Sequence, residues 1–240
     1  MRLLSVIIPA YNEERTLGAL LEKILAVPMD AKRFHLEIIV VDDGSTDHTA
    51  AIASGYSQVS CMRQRHQGKG SAVQYGVKGC SGDYLLVQDA DLEYDPGDYG
   101  PLLEALPATG EAAVYGSRTL GQIRDTGRGV FPGKHPGQGI GPWAANVLLS
   151  IWIFILYGRW ISDPLTAYKL YPARLVRELN VQSAGFEADH EMTAKLIRRR
   201  VPIIEVPIHY APRSVAEGKK IRAVDGLIAL WTLLKYRLTD

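Results

Sequence analysis

The run Gly82 to Pro96, GDYLLVQDADLEYDP, limits most tightly what this chain can become. Tyr84 to Val87 is an apolar strand that can be buried on both faces, and Asp89, Asp91, Glu93 and Asp95 follow at a spacing of two. If the extended direction continues past Gln88, successive side chains alternate and Asp89, Asp91 and Glu93 share one face. Like charges gathered in that way need a cation. Hard oxygen ligands suit Mg²⁺ or Mn²⁺, and a metal held by so few carboxylates completes its shell with phosphate oxygens and water. A metal-diphosphate site is the expectation, with the rest of the chain supplying a nucleotide pocket and an acceptor. The plainer alternative is a polar turn whose aspartates cap the next helix.

Two other apolar runs end in the same manner. Leu3 to Ile8 closes at Pro9 and leads into an amphipathic helix expected over Glu13 to Val27, with Asn12 as its N-cap. Leu36 to Val41 ends in Asp42-Asp43-Gly44-Ser45, and a helix is expected from near Asp47. Val59 to Arg63 reads as a short strand, followed by His66-Gln67-Gly68-Lys69-Gly70 and a helix through Val77. The Gly-Lys-Gly turn offers backbone N–H groups to a phosphate but lacks P-loop spacing. After the carboxylates, a helix over Pro96 to Leu106 and a strand over Ala112 to Tyr115 deliver Gly116-Ser117-Arg118. Such βαβ rhythm predicts an α/β fold with a parallel sheet, whose ligands gather at the carboxyl ends of the strands. Glu13, Asp42 and Asp43 occupy such ends, and each also suits a helix cap or Asx turn.

The second half is less regular. Gly121 to Pro142 holds seven Gly and three Pro with basic Arg124, Arg128, Lys134 and His135, which reads as a mobile active-site loop. Trp143 to Tyr157 is apolar but short of the ~20 residues that span a bilayer, so a buried helix is preferred and an interfacial one is the alternative. Helices over Phe186 to Arg199 and Val224 to Leu238 and a strand over Ile203 to Tyr210 complete the chain. A formal net charge of +1 gives no argument for nucleic acid, although eight Lys/Arg against two Glu between Lys195 and Arg222 make an anion-facing region. Two cysteines, Cys61 and Cys80, are expected to be reduced, and the opening run is too short for an export signal. A cytoplasmic address is the expectation.

SVIIPAYNEE, IIVVDDGSTD, GKG, QDADLEYDP, GSR and DPLTAYK, followed by VPIHYAPRSVAEGKKI, resemble in order and spacing the motifs of family 2 glycosyltransferases with the GT-A fold. Within that family the chain is most similar to polyprenyl-phosphate hexose synthases of the dolichol-phosphate mannose or glucose type. The resemblance implies one GT-A domain over 1–240, with a nucleotide-sugar part to about residue 118 and an acceptor part beyond. It implies that Pro9, Tyr11, Glu13, Val41 and Asp43 line the nucleoside pocket, and that Asp89, Ala90 and Asp91 form a DXD-like motif at metal and diphosphate. Glu93 stands where the family pattern often has a metal-ligating Gln. Arg118 would meet the acceptor phosphate and Arg213 the donor diphosphate, with Lys219 and Lys220 as looser candidates to meet an anionic surface.

Displacement at the anomeric carbon with inversion leaves a nucleoside diphosphate, whose charge a metal and Arg213 would stabilise. A phosphate acceptor is already ionised and needs orientation more than a base, whereas a hydroxyl acceptor needs one. Asp163 and Asp189 are then the candidates, with Asp189 equally suited to cap a helix. The expected partners are a nucleotide sugar and a polyprenyl phosphate at the cytoplasmic face of the membrane, with attachment through the amphipathic helices or a partner, and with a membrane protein or a homo-oligomer as the further partners considered. A saccharide or small hydroxyl acceptor is the first alternative, and a non-catalytic sugar-nucleotide-binding subunit the second.

Overall fold

The computed structural model describes residues 2–28, 33–127, 131–136, 138–212 and 223–239. Its strands are β1 (Arg2–Ala10), β2 (Phe34–Asp42), β3 (Val59–Arg63), β4 (Tyr84–Val87), β5 (Ala113–Ser117), β6 (Lys169–Pro172) and β7 (Ile203–Pro207). They form one seven-stranded sheet in the order β3-β2-β1-β4-β6-β5-β7. Only β6 is reversed: it pairs antiparallel with β4 and β5, and the other pairings are parallel. The α/β expectation therefore holds, and the mostly parallel, helix-flanked sheet is a GT-A fold.

The helices are α1 (Leu17–Leu25), α2 (Thr49–Ser54), α3 (Lys69–Gly79), α4 (Tyr99–Glu104), α5 (Arg118–Thr126), α6 (Ile140–Tyr157), α7 (Ala173–Glu178), α8 (Ala188–Arg198) and α9 (Ala223–Leu238). Strand residues alternate between two cores. Ile7, Ile39, Val41, Leu85 and Val87 face one side, under α3, α6, α8 and α9. Val6, Ile8, Ile38, Val40 and Leu86 face the other, under α1 and α4. This is why the central strands are continuous apolar runs. Gly76 lets α3 lie close to the sheet, since a Cβ there would sit 2.6 Å from Ile7 Cγ2.

Several expected boundaries move. Asn12 takes a positive φ of 53° and is not the cap of α1, which starts at Leu17 after a turn held by Leu17 N–H to Glu13 O at 3.0 Å. Asn12 instead accepts from Thr46 N and donates its own N–H to Ser45 Oγ, tying the end of β1 to the end of β2. Asp47 lies before α2 and accepts from both Thr49 N and Glu14 N, a second tie between the same loops.

The glycine-rich stretch is helical at both ends. Ser117 Oγ accepts from Leu120 N to start α5, which runs to Thr126, and α6 begins at Ile140. Arg128 and Gly137 of that stretch lie outside the described residues. The Trp143 to Tyr157 run is buried along one side only: Asn146, Leu149, Ser150 and Ile153 pack inward while Leu148, Phe154 and Ile155 are exposed. A short apolar run does not reveal which face its neighbours leave open.

Candidate active site

The carboxyl ends of β1, β2, β4 and β5 share one edge of the sheet, and reversal of β6 brings its first residue, Lys169, to that edge too. At the β1 and β2 ends, the Tyr11 ring stacks on His66 with centroids 4.1 Å apart. Glu13 takes a hydrogen bond from Thr16 Oγ1 on Oε2. Pro9 pairs in register with Val41, but the Val41 side chain is wholly buried beneath α3, so only its backbone can border a nucleoside pocket. The Asp43 carboxylate is also buried. It accepts from Gln67 N at 2.9 Å, Gly68 N at 2.8 Å and Gln64 Nε2 at 2.7 Å, and so shapes the turn before α3. That turn is not an open phosphate cradle: Gly68 N–H is held by Asp43 and Ser71 N–H by Ala184 O.

The Lys69 side chain does the work expected of that backbone. Its Nζ lies 2.7 Å from Asp89 Oδ1 and 3.8 Å from Asp189 Oδ2. Burial alone would lower the ammonium pKa, but Asp89 and Asp189, with Asp91 adding to them, hold it well above the ordinary lysine value. Burial likewise favours a neutral Asp189, and Lys169 and Lys69 outweigh it to keep that carboxyl below the usual range. Gly70 allows the approach, since a Cβ there would meet Ala188 Cβ and Gly185 O at 2.6 Å, and so the starts of α3 and α8 touch. The cation that the clustered carboxylates call for is in part a residue of the chain.

The expected one-faced carboxylate ladder does not form. The chain leaves the strand after Val87, and Leu92 adopts a positive φ of 63°, so alternation is lost. Asp91 Oδ1 accepts from Glu93 N at 3.1 Å, while Glu93 Oε2 takes the Tyr210 hydroxyl at 2.7 Å. Among the described residues no three Asp, Glu, His or Cys side chains converge on a metal position, and Glu93 reaches Tyr210 rather than lining up with Asp89 and Asp91. Asp95 alone acts as the helix-capping aspartate, accepting from Gly97 N at 2.9 Å. Ala90 is buried in the core, so it can meet a donor only through its backbone. Under the loop, Gln88 Oε1 receives the hydroxyls of Tyr99 and Tyr168, and its Nε2 donates to Asp89 O at 2.9 Å. This buried amide sets the path of the DXD-like turn.

Across the edge, Arg118 N and Nε donate to Asp163 Oδ2, both at 2.8 Å, and Nη2 donates to Oδ1 at 2.7 Å. Asp163 is buried with both oxygens engaged, which is a poor state for a general base. It orients Arg118. The guanidinium also lies 4.9 Å from the Tyr210 ring centroid and faces a cavity of about 230 Å³ lined by Glu93, Tyr94, Asp95, His135 and His209. His209 Nδ1 is 2.8 Å from Asp98 Oδ1, and burial raises the Asp98 carboxyl above its ordinary value despite that contact. Arg213, Lys219 and Lys220 lie outside the described residues.

Sequence reasoning missed the Lys69 ammonium, the Tyr94 and Tyr210 walls, Gln88 and Lys169. Lys169 is almost wholly buried, and burial lowers its pKa against the opposing pull of Asp189. A lysine inside an apolar strand-like segment was the available signal.

Residues 5–134 match the family model for Glycosyl transferase family 2. The chain belongs to that family. Its family 2 relatives include a dolichyl-phosphate β-glucosyltransferase of Trichomonas vaginalis, 31% identical over 94% of this chain and 70% of that protein. An undecaprenyl-phosphate 4-deoxy-4-formamido-L-arabinose transferase of Edwardsiella ictaluri is 35% identical over 91% of this chain and 63% of that protein. A dolichol-phosphate mannosyltransferase of Pyrococcus furiosus is 30% identical over 90% of this chain, which spans only 58% of its length. The fold matches glucosyl-3-phosphoglycerate synthase from Mycobacterium tuberculosis, solved with Mn²⁺, UDP and phosphoglyceric acid. The TM-score is 0.69 at 20% identity, covering 100% of this chain and 80% of that one.

Proposed function

We propose that this family 2 chain is an inverting glycosyltransferase that moves a hexose from a nucleotide sugar to a polyprenyl phosphate at the cytoplasmic face of a membrane. The observation that carries the reading is the pairing of two charged centres on one sheet edge: Lys69 among Asp89, Asp91 and Asp189, and Arg118 clamped by Asp163. The relatives support the acceptor class, since three of them are dolichyl-, dolichol- or undecaprenyl-phosphate glycosyltransferases.

Asp89 and Asp91 present hard oxygens beside a cation already in place, which fits a Mg²⁺ or Mn²⁺ carried in with the diphosphate rather than one caged by the protein. When bound, such a metal would supply Lewis-acid stabilisation of the diphosphate leaving group. Lys69 adds positive charge beside it, and Arg213 retains the role implied by the family motif. The Tyr11 and His66 stack would meet a base, and Pro9, Glu13 and the Val41 and Ala90 backbones would border the donor. Arg118, its Nε and Nη2 edge spent on Asp163, turns its remaining edge to an acceptor phosphate. That phosphate is an ionised nucleophile. The low pKa of Asp189 and the engaged oxygens of Asp163 suit a reaction without a general base.

One observation favours a saccharide acceptor instead: Glu93, Asp95 and Asp125 share the Arg118 cavity with aromatic walls, a lining suited to sugar hydroxyls. The test is transfer of label from UDP-, GDP- and dTDP-sugars, with Mn²⁺, to a polyprenyl phosphate or to soluble sugars. Label entering organic solvent supports the proposal. Label found only in water-soluble product overturns it, and binding of donors with no transfer to any acceptor identifies a non-catalytic subunit.

A further inference from the structure

Asp98 spends both carboxylate oxygens on a single residue. Oδ2 accepts the His209 backbone N–H at 2.8 Å, and Oδ1 lies 2.8 Å from His209 Nδ1. The carboxylate is almost wholly buried, whereas the His209 side chain is 61% exposed and lines the same cavity of about 230 Å³ as Arg118. Arg124 Nη2 approaches His209 Nε2 at 3.3 Å. A guanidinium only donates, so Nε2 carries the lone pair and Nδ1 the proton that goes to Asp98. A carboxylate behind an imidazole fixes its tautomer and orientation, and it favours the imidazolium once a proton arrives at Nε2.

The backbone sets this ring beside Arg118. Ile208 N donates to Ser117 O at 3.2 Å, so the residue before His209 is tied to the residue before Arg118. Gly121 of α5 packs directly on the Ile208 backbone, a contact that a Cβ would block. The carboxylates that share the cavity are already engaged: Glu93 with the Tyr210 hydroxyl, Asp95 with Gly97 N and Asp125 with Arg124. Arg118 and His209 are thus two nitrogen-bearing edges held on one cavity whose acids are occupied.

We propose that His209, held by Asp98, is a second contact for an acceptor phosphomonoester and shares one proton with it, while Arg118 holds the other side. The inference rests on the phosphate-acceptor reading above. A phosphomonoester has three terminal oxygens. Arg118 takes one, His209 Nε2 takes a second through the shared proton, and the third is left to attack the anomeric carbon. The second phosphate pKa is about 6 and that of histidine about 6.5, so a monoanion meeting imidazole and a dianion meeting imidazolium carry the same single proton. As the new C–O bond forms, the bond to the nucleoside diphosphate breaks and its electron pair leaves with that group. The product phosphodiester is a weaker base than the acceptor, so the proton stays on His209 and passes to water. An alcohol or a phosphodiester cannot fill all three places, which makes His209 a selector for phosphomonoesters.

The test is kcat/KM for the acceptor at saturating donor, from about pH 5.5 to about 8.5, with a short, water-soluble isoprenyl phosphate and with a simple alkyl phosphate. The better substrate tells a lipid-type phosphate from a free one, and the His209 effect is expected in it. Wild type should lose efficiency as pH rises past about 7, where the shared proton is lost. His209→Gln is expected to raise the acceptor KM about tenfold or more at about pH 6.5 and to remove that alkaline limb. Asp98→Asn, which positions the ring without its charge, should move the limb about one unit or more to lower pH. The charges facing His209 are Asp98 with Asp95 behind it, Arg124 with Asp125 on α5, and across the cavity Arg118, Lys23 and Glu93. His135 lines the cavity as well, with a pKa lowered by burial and Lys134, so His135→Gln is the control and should keep the limb. His209→Gln alters an exposed ring, and its thermal midpoint should stay near wild type. An unchanged acceptor KM, an intact limb or a defect in donor KM alone in that variant overturns the inference. Those results with phosphate acceptors still in use sink this inference alone, whereas transfer only to alcohols sinks the function reading and this inference with it.

Discussion

At the scale of single residues, the site is a set of charges that need one another. Lys69 is ion-paired to Asp89 and close to Asp189 in a largely buried setting, so removing it leaves carboxylates uncompensated where donor charge must also be met. Lys69→Met is expected to lower kcat by about 10²–10³, the scale for losing one preorganised electrostatic group. Lys69→Arg should recover part of it, and saturating-donor kinetics of the two variants measure both. Asp163→Asn keeps the shape but halves the charge-assisted clamp on Arg118. Its effect belongs in the KM for the acceptor, and a variant whose only defect is in donor KM would show that Arg118 is not the acceptor contact.

His190 provides a test by pH. Among the described residues its buried Nδ1 has no hydrogen-bond partner, and burial, reinforced by Lys169, depresses its pKa from 6.5 to about 4. A base with a depressed folded pKa leaves stability intact above the unfolded value of about 6.5 and loses it as pH falls toward the folded one, by roughly 3 kcal/mol in all. His190→Gln should flatten that part of the profile. Urea midpoints compared near pH 7 and pH 4.5 decide it, and equal losses in both proteins would contradict the assignment.

At the scale of elements, close approach decides more than propensity. Gly121 in α5 lies against the backbone of residue 208: an added Cβ would be 2.0 Å from Ile208 O, an atom that cannot step aside. Gly121→Ala is expected to cost about 1–3 kcal/mol, as overpacking does. Gly100 in α4 has nothing within 4 Å of the same probe atom, so Gly100→Ala should be neutral or stabilising by about 0.5–1 kcal/mol. Urea unfolding of the two variants checks both signs, and the expectation fails if they move together. The starts of α3 and α8 follow the same rule, since only Gly70 permits the contact that carries Lys69 to Asp189.

At the scale of the whole molecule, the donor should act as a stabiliser of the native state. A nucleotide sugar at about a hundredfold its Kd contributes about 2.7 kcal/mol, which in a chain of this size corresponds to a rise in Tm of roughly 5–10 °C. Because Asp89 and Asp91 suit a metal that travels with the diphosphate, EDTA should abolish most of that rise. Differential scanning with and without chelator measures it, and a full shift in EDTA would refute metal-assisted donor binding.

The sequence alone determined which segments are strands, which strand ends carry carboxylates and that the sheet is mainly parallel, because these follow from local side-chain pattern and from short connections. It also placed Asp89, Asp91, Arg118 and Asp163 in the motifs that meet at the site. It did not show that Leu92 turns Glu93 away toward Tyr210, nor that Val41 and Ala90 are sealed in the core. Only the tertiary structure decided that Lys69 serves the carboxylates as a cation and that Asp163 clamps Arg118 rather than standing free as a base. The physical reason is that a charge is defined by its neighbours in space. Lys69 and Asp189 lie far apart along the chain and meet because the starts of α3 and α8 touch. Arg118 and Asp163 meet because Arg118 directly follows β5 and the Asp163 loop leads into its sheet neighbour β6.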